Sequence, residues 1–327
     1  MTNRGPHVLL FCPDCHIRYN GRTPEEEGVG GGVTARIRLA AALAANGAHV
    51  RLQGSCPDSV VDGVHYLPLS ESVTDDLDVL VAHSSGGKYD LTSAVSIEAR
   101  RRVLLVSGTS APKGVELRAW DEIVAPSRFI ADLIRQEWNV RGEVIVVPHG
   151  VLRRRVWLPV WRHLTHLVYA SHPSKGLADA ISTVRRLGSG FKLHVYGGNA
   201  LWGQKDKAVP CEPGVIYHGL VGQRKVWEGF RRAGLSLHLQ TREEPFGLAL
   251  IESMAAGCVP VASPVGAYPE LIEDRRTGFL VNGVSEAVER IREFVMNPAL
   301  AAHMRRAARN APLDWSAVAR RLLERWS

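Results

Sequence analysis

Short apolar runs alternate with longer stretches of helical spacing over almost the whole chain. His7-Val-Leu-Leu-Phe-Cys12 reads as a buried strand, Val33 to Asn46 as an amphipathic helix ended by Gly47, and Ala48 to Leu52 as the next strand. Val79 to His83, Val103 to Ser107, Glu122 to Ala125 and Val144 to Val147 continue the series. A second series runs through Leu167 to Ala170, Lys192 to Tyr196, Gly214 to His218, Leu235 to Leu239 and Val259 to Ala262. Strands this apolar are buried on both faces, which predicts parallel sheets covered by helices on either side. The expected fold class is therefore α/β, with two Rossmann-like, doubly wound domains facing a central cleft. Strand signals cease from Pro148 to Pro159, where Pro, Gly and Arg accumulate. That divides the chain into a first domain, residues 1–150, and a second, residues 151–312.

Composition agrees with two domains. A chain of 327 residues that is 45% hydrophobic has enough apolar surface for two buried cores. No run approaches the roughly twenty apolar residues of a membrane span, and no charged segment followed by an apolar one opens the chain. A soluble, cytoplasmic protein is the expectation. The chain has 5 cysteines, an odd number for a disulfide scaffold, and reduced thiols are expected. Cys12-Pro-Asp-Cys15 has the spacing of half a zinc site or of a redox pair, but no second such pair exists, and the reading is two cysteines at the end of a buried first strand.

A net charge of +7 suggests attraction to phosphates without saying which kind. The densest basic cluster is Arg153, Arg154 and Arg155, with Trp157, Trp161, Arg162 and His163 after it. It reads as a solvated linker or as a peripheral contact with a membrane surface; it is short for nucleic acid, and no nucleic-acid partner is expected.

The most informative stretch is Glu244-Pro-Phe-Gly-Leu-Ala-Leu-Ile-Glu252, followed by Ser253 to Pro260 and by Gly266-Ala-Tyr-Pro-Glu270. Pro245 and Gly247 mark a turn, and the run to Ala256 is helical and ended by Gly257. Glu244 then sits on a loop and Glu252 two turns into a helix, their backbones roughly 12 Å apart. Free N–H groups near Phe246 to Ala249 attract an anion such as a phosphate. A diphosphate there has a carboxylate on either side, each able to accept hydrogen bonds from paired hydroxyls.

This run resembles the signature of the family-four retaining glycosyltransferases of the GT-B fold, the glycosyl transferases group 1. Such enzymes carry Glu-x-Phe-Gly-Leu, then Glu-(Ala/Ser)-Met-Ala-x-Gly-x-Pro-Val, then a Gly-containing turn into Pro-Glu. Fainter matches are Val124 to Phe129, Val146 to Val151, Lys175-Gly176, Thr277 to Val281 and Asp314-Trp315-Ser316. The resemblance implies transfer of a sugar from a nucleoside diphosphate sugar, UDP before GDP, to a hydroxyl of a small-molecule, lipid-linked or glycan acceptor. It also implies retention at the anomeric carbon, no cofactor and no metal, and a last helix, residues 313–327, that packs back on the first, acceptor-binding domain.

The same resemblance places Lys175, Glu244 and His83 as catalytic residues. It places Gly31, Gly32, Ser171, Val221, Phe246, Gly247, Leu248 and Glu252 around the donor, with Lys175, the Gly31-Gly32 loop and the helix start on the leaving diphosphate, Glu252 on the ribose and Glu244 on the sugar. The base falls near Leu220-Val221. Without the family, His83 at the end of an apolar strand reads more readily as a structural histidine. Ser107-Gly-Thr109, at the end of the next strand, lines the acceptor side by the same logic. The glycines at 28 and 30–32 do not complete a dinucleotide fingerprint, and no acidic residue follows the second strand, which argues against an NAD enzyme. Asp76-Leu-Asp78 precedes a strand and reads as a solvated turn.

One departure stands out. The family has an arginine five residues before its phosphate-binding lysine, and this chain has Ala170. Ser171, His172, Arg224 and Arg242 are the candidates to compensate. The loss keeps open a second reading, a non-catalytic partner subunit that binds a nucleotide sugar through a degenerate phosphate site.

Overall fold

The computed structural model describes residues 5–73, 76–84, 90–112, 119–138, 143–154, 161–205 and 211–327. Two compact units emerge: residues 1–23, 31–150 and 313–327 form the first, and residues 24–30 and 151–312 the second. Among the described residues no helix is long and apolar enough to cross a membrane.

The first unit holds strands β1 (His7–Phe11), β2 (His49–Gly54), β3 (Ser59–Val61), β4 (Val64–Pro68), β5 (Val79–Ser84), β6 (Arg101–Val106), β7 (Glu122–Ala125) and β8 (Val144–Val146). Their order is β3-β4-β2-β1-β5-β6-β7-β8, parallel except for β3 against β4. Helix α1 (Thr23–Glu26) falls to the second unit except for Thr23, and α2 (Gly31–Ala45), α3 (Thr92–Val95) and α4 (Arg128–Glu137) belong to the first. The β3–β4 hairpin escapes a periodicity search because Val60 is largely exposed and Asp62-Gly63 turns the chain with both residues at positive φ. Helix α2 also begins two residues before the expected Val33, so Gly31 and Gly32 are its first turn.

The second unit holds β9 (His163–Ala170), β10 (Lys192–Tyr196), β11 (Val215–Gly219), β12 (Ala233–His238), β13 (Val259–Ala262) and β14 (Phe279–Leu280), ordered β11-β10-β9-β12-β13-β14 and all parallel. Its helices are α5 (Leu177–Leu187), α6 (Gln223–Arg232), α7 (Leu248–Ala255), α8 (Tyr268–Leu271), α9 (Val284–Met296) and α10 (Pro298–Asn310). One face of this sheet buries Leu167, Leu193, Leu235 and Val259 against α5 and α9, and the other buries Val168, Phe230 and Cys258 beneath α6 and α7. Arg162 ties that second layer together by donating to the carbonyls of Phe230, Ala233 and Ala256, which close the ends of α6 and α7.

Helix α11 (Trp315–Trp326) belongs to the first unit and packs on α2. Trp315, Val318, Ala319, Leu322 and Trp326 form its buried stripe at helical spacing. Asp314 caps its first turn by accepting from Ala317 N–H at 2.7 Å.

Residues 24–30 depart from the expected division at residue 150, since they cluster with the second unit. Arg154 donates to both oxygens of Glu25 at 2.5 and 2.8 Å, and a Cβ at Gly28 would collide with the Val221 carbonyl. Only glycine permits that approach, and its φ of +82° is one that other residues rarely adopt.

Candidate functional site

In a doubly wound sheet the ligand crevice lies at the carboxyl ends of the strands where the order reverses. In the second unit that point falls between β9 and β12. The loop after β9 carries Lys175 and the loop after β12 carries Glu244, and Lys175 Nζ donates to Glu244 Oε2 at 2.8 Å. Gly176 makes the pairing possible: its φ is +90°, and a Cβ would collide with the Leu239 carbonyl at the end of β12. Gln240 supports the carboxylate, its Nε2 donating to Glu244 Oε2 at 3.1 Å and to Tyr268 Oη at 2.9 Å. The Glu244 backbone is fixed as well, because Ala267 N–H donates to its carbonyl at 2.9 Å and Gly266 lies so close that a Cβ would strike it. The Gly-Ala-Tyr-Pro turn is therefore the seat of Glu244. Burial, with Glu244 nearby, pushes the Tyr268 phenol well above its ordinary range, so the hydroxyl stays protonated.

Gly247 caps α7 with φ +103°, and a Cβ there would lie 2.6 Å from Tyr268 Cε1. Phe246 and Leu248 are buried, so their side chains hold the helix start. Leu250 and Ile251 N–H donate to the Gly247 carbonyl at 3.0 and 3.2 Å, and the N–H groups of Leu248 and Ala249 precede these first bonds of the helix, a position that suits an anion. Glu252 lies one turn into the helix, not two, because the helix begins only at Leu248. Gln223 Nε2 donates to its Oε1 at 3.1 Å. A small pocket of about 20 Å³ lies beside this pair, lined by Arg154, Gln223, Trp227 and Glu252, with Phe230 and Ala255 among its apolar walls. Ser171 N–H donates to the Tyr196 carbonyl at 3.2 Å, and Val221 is half-buried beneath Gly28.

The position lacking the family's arginine has a neighbour that composition does not reveal. His172 stacks on Trp202 with ring centroids 3.6 Å apart, and the Arg242 guanidinium lies 5.8 Å from the centre of the Trp202 ring. Arg242 sits on the same loop as Gln240 and Glu244. Arg224 is different: it lies on α6, largely exposed, 3.7 Å from Glu228. Trp202, Gln223 and Gln240 were not singled out by sequence. An amide about one helical turn before a tryptophan, or four residues before a signature carboxylate, carries no motif of its own.

In the first unit the strand order reverses at β1 and β5. There His83 is buried, its Nδ1 accepting from Arg36 Nε at 2.9 Å and its Nε2 lying 2.6 Å from Ser107 Oγ. Arg36, fully buried on α2, also donates to both oxygens of Asp14, at 3.1 and 2.9 Å, and to Tyr19 Oη. Burial, then Arg36 and His149, hold His83 well below the usual imidazole range, so it is neutral. Gly31 and Gly32 open α2, and a Cβ at Gly32 would meet nothing. Cys12 is buried and Cys15 exposed, both free thiols, and burial pushes Cys12 up to about 12. Asp14, between them, has the structural role. Asp78 accepts from His7 N–H at 2.8 Å, and among the described residues no group of three or more His, Cys, Asp or Glu is placed to hold a metal ion. Arg153 donates to the carbonyls of Arg309 and Pro312, Arg154 is engaged with Glu25, and Arg155 and Trp157 lie outside the described residues.

Residues 167–311 match the family model for glycosyl transferases group 1. The second unit is a glycosyl transferases group 1 domain. A segment of 90 residues is 43% identical to a D-inositol 3-phosphate glycosyltransferase of Streptomyces avermitilis, covering 27% of this chain and 19% of that one. The chain thus aligns with about a fifth of that relative's length. Likeness of fold extends beyond the group 1 domain. A sucrose-phosphate synthase from Thermosynechococcus elongatus superposes with a TM-score of 0.74 over 98% of both chains at 14% identity. Anabaena HepE in complex with UDP-glucose does so with a TM-score of 0.69 over 97% of this chain and 98% of that chain at 15% identity. The fold is GT-B.

Proposed function

We propose that this chain is a retaining, metal-independent glycosyltransferase that moves a sugar from a nucleoside diphosphate sugar, UDP before GDP, to a hydroxyl of a small-molecule, lipid-linked or glycan acceptor. The observation that carries this reading is the Lys175–Glu244–Gln240 cluster at the switch point of a group 1 domain, seated by Gly176 and Gly266. The UDP preference is supported by the likeness to HepE, whose structure holds UDP-glucose.

In the proposed reaction the bond between the anomeric carbon and the diphosphate oxygen breaks. A bond to the acceptor oxygen forms on the same face, and the acceptor proton passes to the leaving diphosphate. Lys175, the first-turn N–H groups of α7 and Arg242 stabilise the charge that develops on the diphosphate. Glu252, oriented by Gln223, accepts from the ribose hydroxyls, and the pocket beside Trp227 lies next to it. Glu244 accepts from sugar hydroxyls once Lys175 turns to the phosphates. Gly31 and Gly32 offer backbone without side chains to the donor.

Calorimetric titration with UDP, GDP, ADP and dTDP tests the reading. Saturable binding of one diphosphate, weakened by Glu252→Ala and Lys175→Ala, supports it, and NMR of the product anomer then decides retention. Binding of the same diphosphate with no turnover of its sugars across an acceptor screen supports the second reading, a non-catalytic partner that binds a nucleotide sugar. Ala170 in place of the family's arginine favours that alternative.

A further inference from the structure

A serine hydroxyl 2.6 Å from a histidine Nε2 has the spacing of a nucleophilic dyad, but what stands behind the imidazole decides what the pair can do. In a serine nucleophile's dyad a carboxylate accepts from Nδ1–H, which leaves Nε2 as a base. Here the group behind His83 is the Nε–H of Arg36, 2.9 Å from Nδ1. A guanidinium only donates, so Nδ1 must carry the lone pair and the ring proton must sit on Nε2. The Nε2–H then donates to Ser107 Oγ, and the serine proton is left for a partner elsewhere. Arg36 cannot swing away, because Asp14 holds it through both carboxylate oxygens and Tyr19 accepts from it. The groups facing His83 are Arg36, itself held by Asp14 and Tyr19, with His149 beyond it and Ser107 at the outer end. Ser107 is half-buried at the carboxyl end of β6, next to β5 at the first unit's switch point.

We infer that Ser107 is a ligand-binding group of the first unit whose hydroxyl is committed to donating to a lone pair on a hydroxyl or phosphate oxygen of the acceptor substrate, and that Arg36 is the positioning residue that commits it. The acceptor assignment rests on the glycosyltransferase reading; the polarity of the Ser107–His83 pair does not.

Long-range proton–nitrogen NMR of the full chain reads the polarity. The expected result is an Nε2–H imidazole for His83 that stays neutral from about pH 8 to about pH 5. In Arg36→Met the Nε2–H tautomer should no longer be fixed and the ring's titration should move upward, burial still holding it below its ordinary value, and in Arg36→Lys, which retains a donor, it should behave as wild type. An Nδ1–H tautomer or an imidazolium in the wild type overturns the inference, and that measurement stands even if Arg36→Met does not fold. Diisopropyl fluorophosphate should leave Ser107 unlabelled; covalent labelling equally overturns it. For the ligand, D-myo-inositol 3-phosphate, myo-inositol and inorganic phosphate are titrated separately. A saturable shift of the His83 Nε2–H signal, lost in Ser107→Ala and kept in Ser107→Thr, is expected. A response to myo-inositol marks a hydroxyl oxygen, and one confined to the two phosphates marks a phosphate oxygen. Silence toward all three overturns the ligand-binding half. Failure of UDP to bind in the calorimetric screen would count against the glycosyltransferase reading alone.

Discussion

Lys175 Nζ and Glu244 Oε2 are 2.8 Å apart, so the lysine that the proposed function assigns to a diphosphate and the carboxylate it assigns to a sugar neutralise one another. A nucleotide sugar must separate them, and each partner should report a different part of the ligand. Lys175→Ala is expected to weaken UDP binding about tenfold to a hundredfold, the worth of one charge-assisted contact. Glu244→Gln should leave UDP within about threefold of wild type while weakening UDP-glucose about tenfold or more. Calorimetry with both ligands separates the two, and equal losses for UDP in both variants would contradict the division of roles.

Arg242 stands over Trp202 while Arg224 lies exposed on α6 beside Glu228. Arg242→Ala should therefore lower UDP affinity by about tenfold and leave uridine binding unchanged, whereas Arg224→Ala should alter neither. A loss for uridine as large as for UDP would show that Arg242 acts on something other than the diphosphate.

Glycines at the site separate folding from ligand approach. Gly176→Ala and Gly247→Ala each force a side chain into a positive-φ backbone and into neighbouring atoms, and each should cost more than about 2 kcal/mol, seen as a lowered Tm. Gly32→Ala meets nothing and joins the first turn of α2, so Tm should hold or rise. If Gly32 offers its backbone to the donor, UDP-glucose affinity falls in that variant with the fold intact; an unchanged affinity removes Gly32 from the site.

Stability should decline in mild acid. Burial lowers His149 to about 4 and His238 to about 3, below the ordinary imidazole value near 6.5. Burial together with His166, His218 and Lys192 takes His194 to about 4 on the exposed side of the second sheet. Between these values the unfolded chain binds more protons than the folded one, so stability is full above about pH 6.5 and is lost as pH falls toward 4. His149 alone accounts for about 3 kcal/mol of this over that interval. Thermal melts from pH 7.5 to pH 4.5 check the slope, which should flatten in His149→Gln.

Much of this molecule was legible in its chain. Apolar strand runs such as Val79 to His83 and Val259 to Ala262 mark strands of the two sheets, because burial on both faces leaves only apolar residues acceptable there. Glu244 and Glu252 were marked by their turn, glycine and helix signals, which are local chemistry. The relationships that give these residues meaning were not local. Gly266 comes to Glu244 from beyond helix α7. Gln223 meets Glu252 across a separation of 29 residues, Arg36 meets His83 across 47, and Arg242 meets Trp202 only because the loops after β10 and β12 converge. Periodicity registers the repeating demand of a buried face on each residue in turn. A single polar contact between distant loops leaves no period, so its existence, its direction and the tautomer it imposes were decided by the tertiary structure alone.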